Sequence, residues 1–256
     1  MADREQERER LRQERLAAEG ADAQQARRRR MVQLGSLAAF AAIAVIVALI
    51  VISQSGSDDK STTPPANVAG ASRVAAELQG IPQQGEVLGD SSAPVTVTEF
   101  GDPQCPVCAA FAEQIAPQLI ASEVKTGKVK YEYRPWVIIG PDSKPASKAA
   151  YAAGVQNRFW HFIQLFYANQ GQENSGYVTD AFLEKIATAA GVPDIAKWNQ
   201  DRNDPKWDTM LTQNNSEAQS LGFTGTPSIL VTGPNGQVPL KGFQLPEIES
   251  AIQQVS

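Results

Sequence analysis

The chain has 256 residues, which is enough for one or two domains. Its formal net charge is −5, and the body after the arginine-rich first 30 residues is more acidic still, which argues against a nucleic-acid-binding protein because such a protein needs a basic face. Two Cys and one His are too few for a four-ligand Cys/His zinc site, and the two Cys lie only three positions apart, which excludes a disulfide-stapled mini-protein.

An uncharged apolar stretch spans residues 31–52. As an α-helix it would extend about 33 Å, enough to cross a hydrocarbon core of about 30 Å. Four arginines at positions 27–30 precede it, so the positive-inside rule places the N-terminus in the cytoplasm. We therefore expect a charged cytoplasmic tail over residues 1–30 and a single-pass signal-anchor over residues 31–52, with the remaining chain outside the cell membrane. A cleaved signal peptide is the alternative, but it needs an apolar region of about 7–15 residues.

The stretch after the apolar run has the composition of a linker. Residues 53–70 are rich in Ser, Thr, Pro, Gly and Asp and have few apolar side chains. Such a sequence cannot bury enough surface to offset the entropy lost on ordering. The sequence predicts a flexible spacer, which we place at residues 53–79, followed by one folded domain over residues 80–256.

The domain begins with a predicted strand–helix–strand unit. Residues 94–100 alternate β-branched side chains with others and predict a strand, and residues 129–139 predict a second one. Between them, apolar side chains recur at helical spacing from Cys105 onward, and Pro117 is expected to kink the helix. A crossover of this kind predicts a parallel pair of strands.

The remaining elements are mostly helical. Residues 143–222 have helical composition almost throughout, in segments at 146–169, 179–190, 195–200 and 204–221. A strand is predicted at 228–232 and an edge strand at 238–241, because Pro239 lacks the N–H that a central strand needs. A short helix at 246–255 closes the chain. The order predicts an α/β fold with an all-helical insertion.

The two cysteines form the motif Cys105-Pro106-Val107-Cys108 at the start of the first helix of the domain. Pro106 suits the first helical position, where its missing N–H is not needed. The sulfur of Cys105 then faces unpaired backbone N–H groups and the positive end of the helix dipole, which stabilise a thiolate and lower the pKa. A stabilised thiolate makes the disulfide a better oxidant, and Cys108, deeper in the helix, is the natural resolving thiol.

Two other uses of the cysteine pair stay open. A purely structural disulfide would close a loop of only four residues and would restrict the unfolded chain little. Copper(I) capture is chemically reasonable because that ion prefers soft thiolate ligands, but no Met-rich or His-rich cluster accompanies the pair in the sequence. A redox-active pair is favoured, because the motif follows a strand in a strand–helix–strand context.

Three stretches of sequence together resemble those of a known protein family. They are Glu99-Phe100-Gly101-Asp102 with Cys105-Pro106-Val107-Cys108, then Phe159-Trp160, Leu165-Phe166 and Asn169-Gln170, and last Gly222-Phe223-Thr224-Gly225-Thr226-Pro227-Ser228. Over residues 80–256 the chain resembles the DsbA-type thiol–disulfide oxidoreductases, above all the membrane-anchored extracytoplasmic ones of Gram-positive bacteria. The resemblance implies a thioredoxin fold with an all-helical insertion, preceded here by a single transmembrane helix.

The resemblance also implies roles for residues outside the cysteine motif. Pro227 matches the cis-proline that faces the active-site disulfide, which puts the backbone of Thr226 beside Cys105, where an extended substrate chain can pair with it. Glu99 matches the acidic residue that thioredoxin-fold enzymes keep under the active site, and a buried carboxylate there could accept the proton of Cys108. A proline that merely starts a strand and a solvated glutamate are the alternatives.

The sequence departs from the family pattern at two points. Val107 stands where the strongest oxidases of the family carry His, so the resemblance leaves the oxidising strength open. The basic residue that some relatives place opposite the acid is not evident, and Tyr133 lies near the expected position.

The sequence therefore predicts an extracytoplasmic thiol–disulfide oxidoreductase that introduces disulfides into secreted proteins, with Cys105, Cys108, Pro227, Thr226 and Glu99 as site residues. We expect no cofactor and no metal. The expected partners are reduced secreted or cell-envelope proteins and a membrane partner that re-oxidises the pair, and we expect a monomer. A reductase or isomerase of the same fold, a thiol copper(I) carrier and a non-catalytic binding module are the alternatives.

Overall fold

The computed structural model describes residues 68–240 and 242–256. The predicted cytoplasmic tail (1–30), the signal-anchor (31–52) and the spacer residues 53–67 lie outside these described residues. Within the described ranges, none of the helices combines the length and the apolar character needed to cross a membrane.

Strands of the described residues form one mixed sheet. They are β1 (Gln83–Gln84), β2 (Val87–Leu88), β3 (Val95–Gly101), β4 (Val129–Pro135), β5 (Ser228–Gly233) and β6 (Gly236–Leu240). Their order across the sheet is β1-β2-β4-β3-β5-β6. The predicted parallel pair is confirmed as β3 and β4, whereas β5 runs antiparallel to β3 and forms a hairpin with β6 at the edge.

Strand β4 is shorter than predicted, since it ends at Pro135 rather than at residue 139. The backbone N–H of Trp136 still donates to the carbonyl oxygen of Gly101 on β3 at 2.8 Å, but two amides that follow bond a side chain instead. The N–H groups of Ile138 and Ile139 donate to Oδ2 of Asp102 at 2.8 and 2.9 Å. The chain therefore turns away from the sheet where it meets the loop that precedes Cys105.

The helices of the described residues alternate with and follow these strands. They are α1 (Ala71–Leu78), α2 (Pro106–Gln114), α3 (Ala116–Leu119), α4 (Ser143–Gly154), α5 (Phe159–Ala168), α6 (Asp180–Ala189), α7 (Ile195–Asp201), α8 (Lys206–Ser220) and α9 (Leu245–Val255). The helix predicted from Cys105 onward is confirmed in three pieces, because α3 is followed by a π-helical turn at Ile120–Val124. The first break falls at Ile115, next to Pro117, which cannot donate a hydrogen bond to the preceding turn.

The all-helical insertion over residues 143–222 is confirmed by α4 to α8. One predicted segment, 146–169, is two helices, since the chain reverses between α4 and α5. Asn157 in this turn has φ of 57°, a left-handed conformation that asparagine tolerates better than most residues. Helix α5 supplies the aromatic core between the insertion and the sheet: Phe159, Trp160, Phe162 and Phe166 are all buried.

The predicted spacer extends too far toward the domain. The spacer is predicted over residues 53–79 from the composition of residues 53–70, but Ala71–Leu78 form α1, which packs against α5. Its apolar side chains Val74 and Leu78 lie four positions apart, on one face, and are 1% and 2% exposed. The folded body therefore includes α1 and begins before the boundary predicted at residue 80.

The sheet brings two distant parts of the sequence to the same edge. Phe100, near the carboxyl end of β3, is paired with Ser228, at the start of the antiparallel strand β5. Cys105 follows β3 and Pro227 immediately precedes β5. The topology thus places the cysteine motif beside the Thr226–Pro227 peptide.

Replacing Leu78 by Ala tests whether α1 is part of the folded body. We expect the free energy of unfolding to fall by about 2–4 kcal/mol, because a buried leucine leaves a cavity. Ser72→Ala is the control, since Ser72 is an exposed residue of the same helix and surface substitutions usually change stability by less than about 0.5 kcal/mol. Urea denaturation measures both, and equal small effects would contradict the assignment of α1 to the core.

Candidate active site

Cys105 caps the N-terminus of α2. Its backbone is extended (φ −72°, ψ 117°), and its Sγ accepts a hydrogen bond from the backbone N–H of Cys108 at 3.3 Å. Pro106 occupies the first helical turn, as predicted. The Cys105 side chain is nearly buried and its Sγ also lies 3.3 Å from the carbonyl oxygen of Thr226, to which the thiol donates.

The hydrogen bonds that Cys105 receives lower its pKa from the ordinary value of 9.0 to about 6. The largest cause is the hydrogen bond from the Cys108 thiol, which stabilises the thiolate. Burial opposes the shift, while the Thr226 side chain and the backbone N–H groups of Cys108 and Val107 add to it. At neutral pH the reduced protein therefore carries Cys105 mainly as a thiolate.

Cys108 has the opposite environment. It is fully buried within α2, and burial raises the pKa of its thiol well above 9.0; Cys105 and the Glu99 carboxylate raise it further. The two sulfurs are not joined in the structure. The pair is thus strongly asymmetric, with one sulfur prepared as an anion and the other held as a thiol.

Glu99 lies beneath this pair. It is on β3, 2% exposed, and burial raises its pKa to about 8. The hydroxyl of Tyr131 donates a hydrogen bond to its Oε2 and opposes the rise, whereas Oε1 has no hydrogen-bond partner among the described residues. Glu99 is therefore mostly a neutral acid at neutral pH.

The partner of the acid is Tyr131 and not Tyr133, the residue nearest the expected position. Both tyrosines lie on β4 and both are buried. The Tyr133 hydroxyl is instead hydrogen-bonded to that of Tyr167 on α5, at 2.6 Å. The neighbourhood of Glu99 thus contains buried phenols.

The Thr226–Pro227 peptide bond is cis, as the resemblance implies. Since the Thr226 carbonyl contacts the Cys105 sulfur, four of the five predicted site residues are in contact or adjacent in the chain: Cys105, Cys108, Thr226 and Pro227. Glu99 acts on the same group of residues, because its charge raises the pKa of Cys108. The fold brings all five to one end of the sheet.

The loop before Cys105 is held by Asp102, a residue of the motif that carries the family resemblance but one with no predicted role. Asp102 is fully buried, and besides bonding Ile138 and Ile139 it accepts a hydrogen bond from the backbone N–H of Gln104 at 2.9 Å. Its partners are two and 36–37 residues away along the chain. Contacts between residues this far apart in the chain leave no local sequence pattern from which they could be predicted.

The helical insertion also holds this loop. The side chain of Gln104 is buried and bonds Ser143 at the start of α4 and Asn174 in the α5–α6 connection. Gln170 donates to the carbonyl oxygens of Pro103 and Cys105 at 2.7 and 3.1 Å. The insertion therefore fixes the backbone from which the Cys105 sulfur projects.

The described residues contain no cluster of three or more His, Cys, Asp or Glu side chains placed to hold a metal ion. The chemistry that the site offers is thiol chemistry, with a thiolate at a helix N-terminus, a buried thiol and a buried carboxylic acid. This arrangement supports the exchange of disulfides through a mixed disulfide on Cys105.

Comparison with known proteins decides the family. The thioredoxin family model matches residues 83–245. The chain belongs to the thioredoxin family. It is 30% identical over 149 residues to the probable disulfide bond formation protein D of Bacillus cereus, covering 57% of this chain and 69% of that protein. It is 28% identical over 171 residues to disulfide bond formation protein D of Bacillus subtilis, covering 65% and 75%.

Solved structures agree with this placement. The crystal structure of oxidised BdbD from Bacillus subtilis superposes with a TM-score of 0.59 at 25% identity, covering 66% of this chain and 91% of that one. DsbA from Chlamydia trachomatis gives a TM-score of 0.58 at 22% identity, covering 66% and 90%, and shows the fold alone. This member of the thioredoxin family is a DsbA-type thiol–disulfide oxidoreductase.

Replacing Glu99 by Gln tests the buried acid. Because folding raises its pKa from 4.5 to about 8, the folded state binds the proton more tightly, and stability falls as pH rises through this window. Glu99→Gln removes that loss, so we expect a reduced protein that is more stable at neutral pH, by about 3 kcal/mol. Urea denaturation of the reduced protein at several pH values measures the difference.

The exposed residue Glu113 on α2 provides the control, since a surface Glu113→Gln change is expected to alter stability by less than about 0.5 kcal/mol at every pH. If Glu99→Gln also left the pH dependence unchanged, Glu99 would not retain a proton in the folded state.

Proposed function

We propose that the protein is a dithiol oxidase that introduces disulfides into reduced substrate proteins. The observation that carries this proposal is the asymmetry of the pair, with the pKa of Cys105 at about 6 and that of Cys108 well above 9.0. Cys105 is a thiolate only in the reduced pair, so its stabilisation favours the reduced pair and not the disulfide. Each unit by which the pKa is lowered therefore favours the reduced pair by about 1.4 kcal/mol, or about 30 mV, and so makes the disulfide a stronger oxidant.

The reaction begins with the Cys105–Cys108 disulfide. A substrate thiolate attacks the exposed side of the Cys105 sulfur, a mixed disulfide forms, and the Cys108 sulfur leaves and takes the proton held by Glu99. A second substrate thiolate then attacks the substrate sulfur of the mixed disulfide, and Cys105 leaves as the stabilised thiolate. Two electrons pass from the substrate to the pair, and the substrate gains one disulfide.

Thr226 and Pro227 hold the substrate chain beside the reacting sulfur. The Thr226 carbonyl lies 3.3 Å from the Cys105 Sγ, so an extended chain that pairs with this backbone would carry its cysteine to the sulfur. Pro227 has no N–H and therefore leaves the sulfurs without a competing donor at that position. The role of these two residues is positioning.

We place this activity outside the cell membrane, on a monomer anchored by residues 31–52. The uncharged apolar run and the arginines before it support this location. Reduced secreted or cell-envelope proteins are then the substrates, and a membrane partner linked to quinone re-oxidises the pair. The disulfide bond formation proteins of Bacillus, to which the chain is similar, support the direction of electron flow.

A reductase or isomerase is the second candidate. The observation that favours it is Val107, which is 43% exposed and offers no hydrogen bond to the Cys105 thiolate through its side chain. The strongest oxidases of the family that the chain resembles carry His at this position. The pKa of Cys105 reaches about 6 without such a residue, which is why oxidation remains the first choice.

Equilibration of the full chain with reduced and oxidised glutathione tests the direction of electron flow. We expect a reduction potential clearly less negative than about −270 mV, the value for thioredoxin, since a thiolate with a pKa near 6 is more stable than thioredoxin's thiolate with a pKa of about 7. A potential at or below that of thioredoxin would contradict the oxidase and favour the reductase.

Copper(I) titration of the reduced protein, with Cys105→Ser as control, tests the third possibility, a thiol copper(I) carrier. We expect no tight, Cys105-dependent binding at copper concentrations comparable with the protein. Tight binding that is lost in Cys105→Ser, together with a low reduction potential, would favour a copper carrier.

A further inference from the structure

Glu99, the acid beneath the cysteine pair, is hydrogen-bonded to an uncharged side chain. Tyr131 donates to Oε2 of Glu99, and both side chains are buried. Among the described residues, Glu99 forms no ion pair with a lysine or arginine, and the groups that act on its charge are Tyr131 and Cys105. A phenol hydroxyl is thus the donor that stabilises the carboxylate form of this acid.

The Tyr131 hydroxyl is held in place by its ring. The ring packs against Trp160 of α5, with centroids 4.5 Å apart. In the parallel register Tyr131 lies beside Val97 and Tyr133 beside Glu99, so the hydroxyl reaches the acid diagonally across the pair of strands. Since it occupies Oε2, only Oε1 is left without a hydrogen-bond partner among the described residues. Oε1 is therefore the oxygen available to exchange a proton.

The other titratable groups near Glu99 come from three elements. Helix α2 brings the two cysteines, β4 brings two tyrosines and α5 brings one: Cys105, Cys108, Tyr131, Tyr133 and Tyr167. On the other side of β3 the paired residue of β5 is Ile229, and neither β5 nor α9 supplies a described charged group that acts on the acid. Among the described residues, Tyr131 is the one group that hydrogen-bonds the Glu99 carboxyl group.

We propose that Tyr131 is the positioning residue that keeps Glu99 able to ionise near neutral pH and thereby sets the rate at which Cys108 is deprotonated. The proposal rests on the proposed role of Glu99 as proton carrier. Hydrogen bonds to a charged acceptor are stronger than those to a neutral one, so the Tyr131 hydroxyl favours the carboxylate over the acid. Without it, the remaining influences on Glu99, burial and the charge of Cys105, both favour the protonated acid.

The affected step is the closing of the pair on a mixed disulfide. The Cys108 S–H bond breaks, and its proton goes to Oε1 of the Glu99 carboxylate. The Cys108 thiolate attacks the Cys105 sulfur, the Cys105–Cys108 bond forms, and the bond to the outgoing thiol breaks with that thiol leaving as a thiolate. With a pKa of about 8, roughly one Glu99 in ten is ionised at neutral pH, and each unit of further rise lowers this fraction about tenfold. The carboxylate that remains is a stronger base and offsets part of the loss, so the step slows several-fold.

Tyr131→Phe in the full chain tests the proposal, because it removes the hydroxyl and keeps the ring on Trp160. Tyr133→Phe is the matched control, since it removes a buried hydroxyl of the same strand that bonds Tyr167 instead of Glu99. The infrared band of the protonated carboxyl, assigned by its absence in Glu99→Gln, reports the midpoint of Glu99 ionisation. Acid-quenched mass spectrometry follows release of glutathione from its mixed disulfide with Cys105.

In the parent protein we expect a midpoint at about pH 8. Tyr131→Phe should move it upward and slow glutathione release at neutral pH several-fold, with the rate recovering as pH rises. Tyr133→Phe should leave both readouts near those of the parent. Placing 3-fluorotyrosine at position 131, a stronger donor of nearly the same shape, should move the midpoint downward and covers the case in which Tyr131→Phe does not fold.

An unmoved midpoint in Tyr131→Phe, or an equal shift in Tyr133→Phe, would overturn the proposal. If Tyr131→Phe did not fold, a midpoint that 3-fluorotyrosine leaves unmoved would do the same. These results are independent of the oxidase direction, because glutathione exchange passes through the same proton transfer either way. A low reduction potential with an intact Tyr131→Phe effect would instead contradict the proposed function alone.

Discussion

The chemistry of this protein depends on the hydrogen bonds given to one sulfur. Cys105 sits where the polypeptide enters α2, so the first turn of the helix and the Cys108 thiol both donate to it. An anion at a helix N-terminus is stabilised by amides that would otherwise lack partners. The parallel pairing of β3 with β4, the cis peptide before β5 and the contacts from the insertion all serve to keep that sulfur in place.

This arrangement requires the burial of ionisable groups that are more favourably solvated by water. Glu99 and Cys108 lie beneath the reactive sulfur, and burial holds both mainly in their neutral forms at neutral pH. A buried acid destabilises the folded protein when it must ionise, but the same property lets it hold a proton for the outgoing thiolate. The phenol of Tyr131 moderates this conflict, since it stabilises the carboxylate without bringing a full charge into the core.

Local patterns were sufficient to predict most of the fold and the reactive pair. The parallel strands, the insertion and the helix-capping position of Cys105 follow from periodicity and from the chemistry of a cysteine before Pro106. The cis conformation at Pro227 came only from family resemblance. Contacts between distant segments are not visible in the local sequence, as with Asp102, Gln104 and the partner of Glu99. Helix α1 is absent from the prediction because the spacer, inferred from the polar composition of residues 53–70, is extended to residue 79 across the apolar-rich Ala71–Leu78.

The ionisation of Cys105, followed by the ultraviolet absorbance of its thiolate in the reduced protein, tests the central claim most directly. We expect a midpoint at about pH 6, which moves upward in Cys108→Ala and less in Cys108→Ser, because serine retains a donor. A midpoint near 9.0, the value of an ordinary cysteine, with no difference between the two variants would contradict the account.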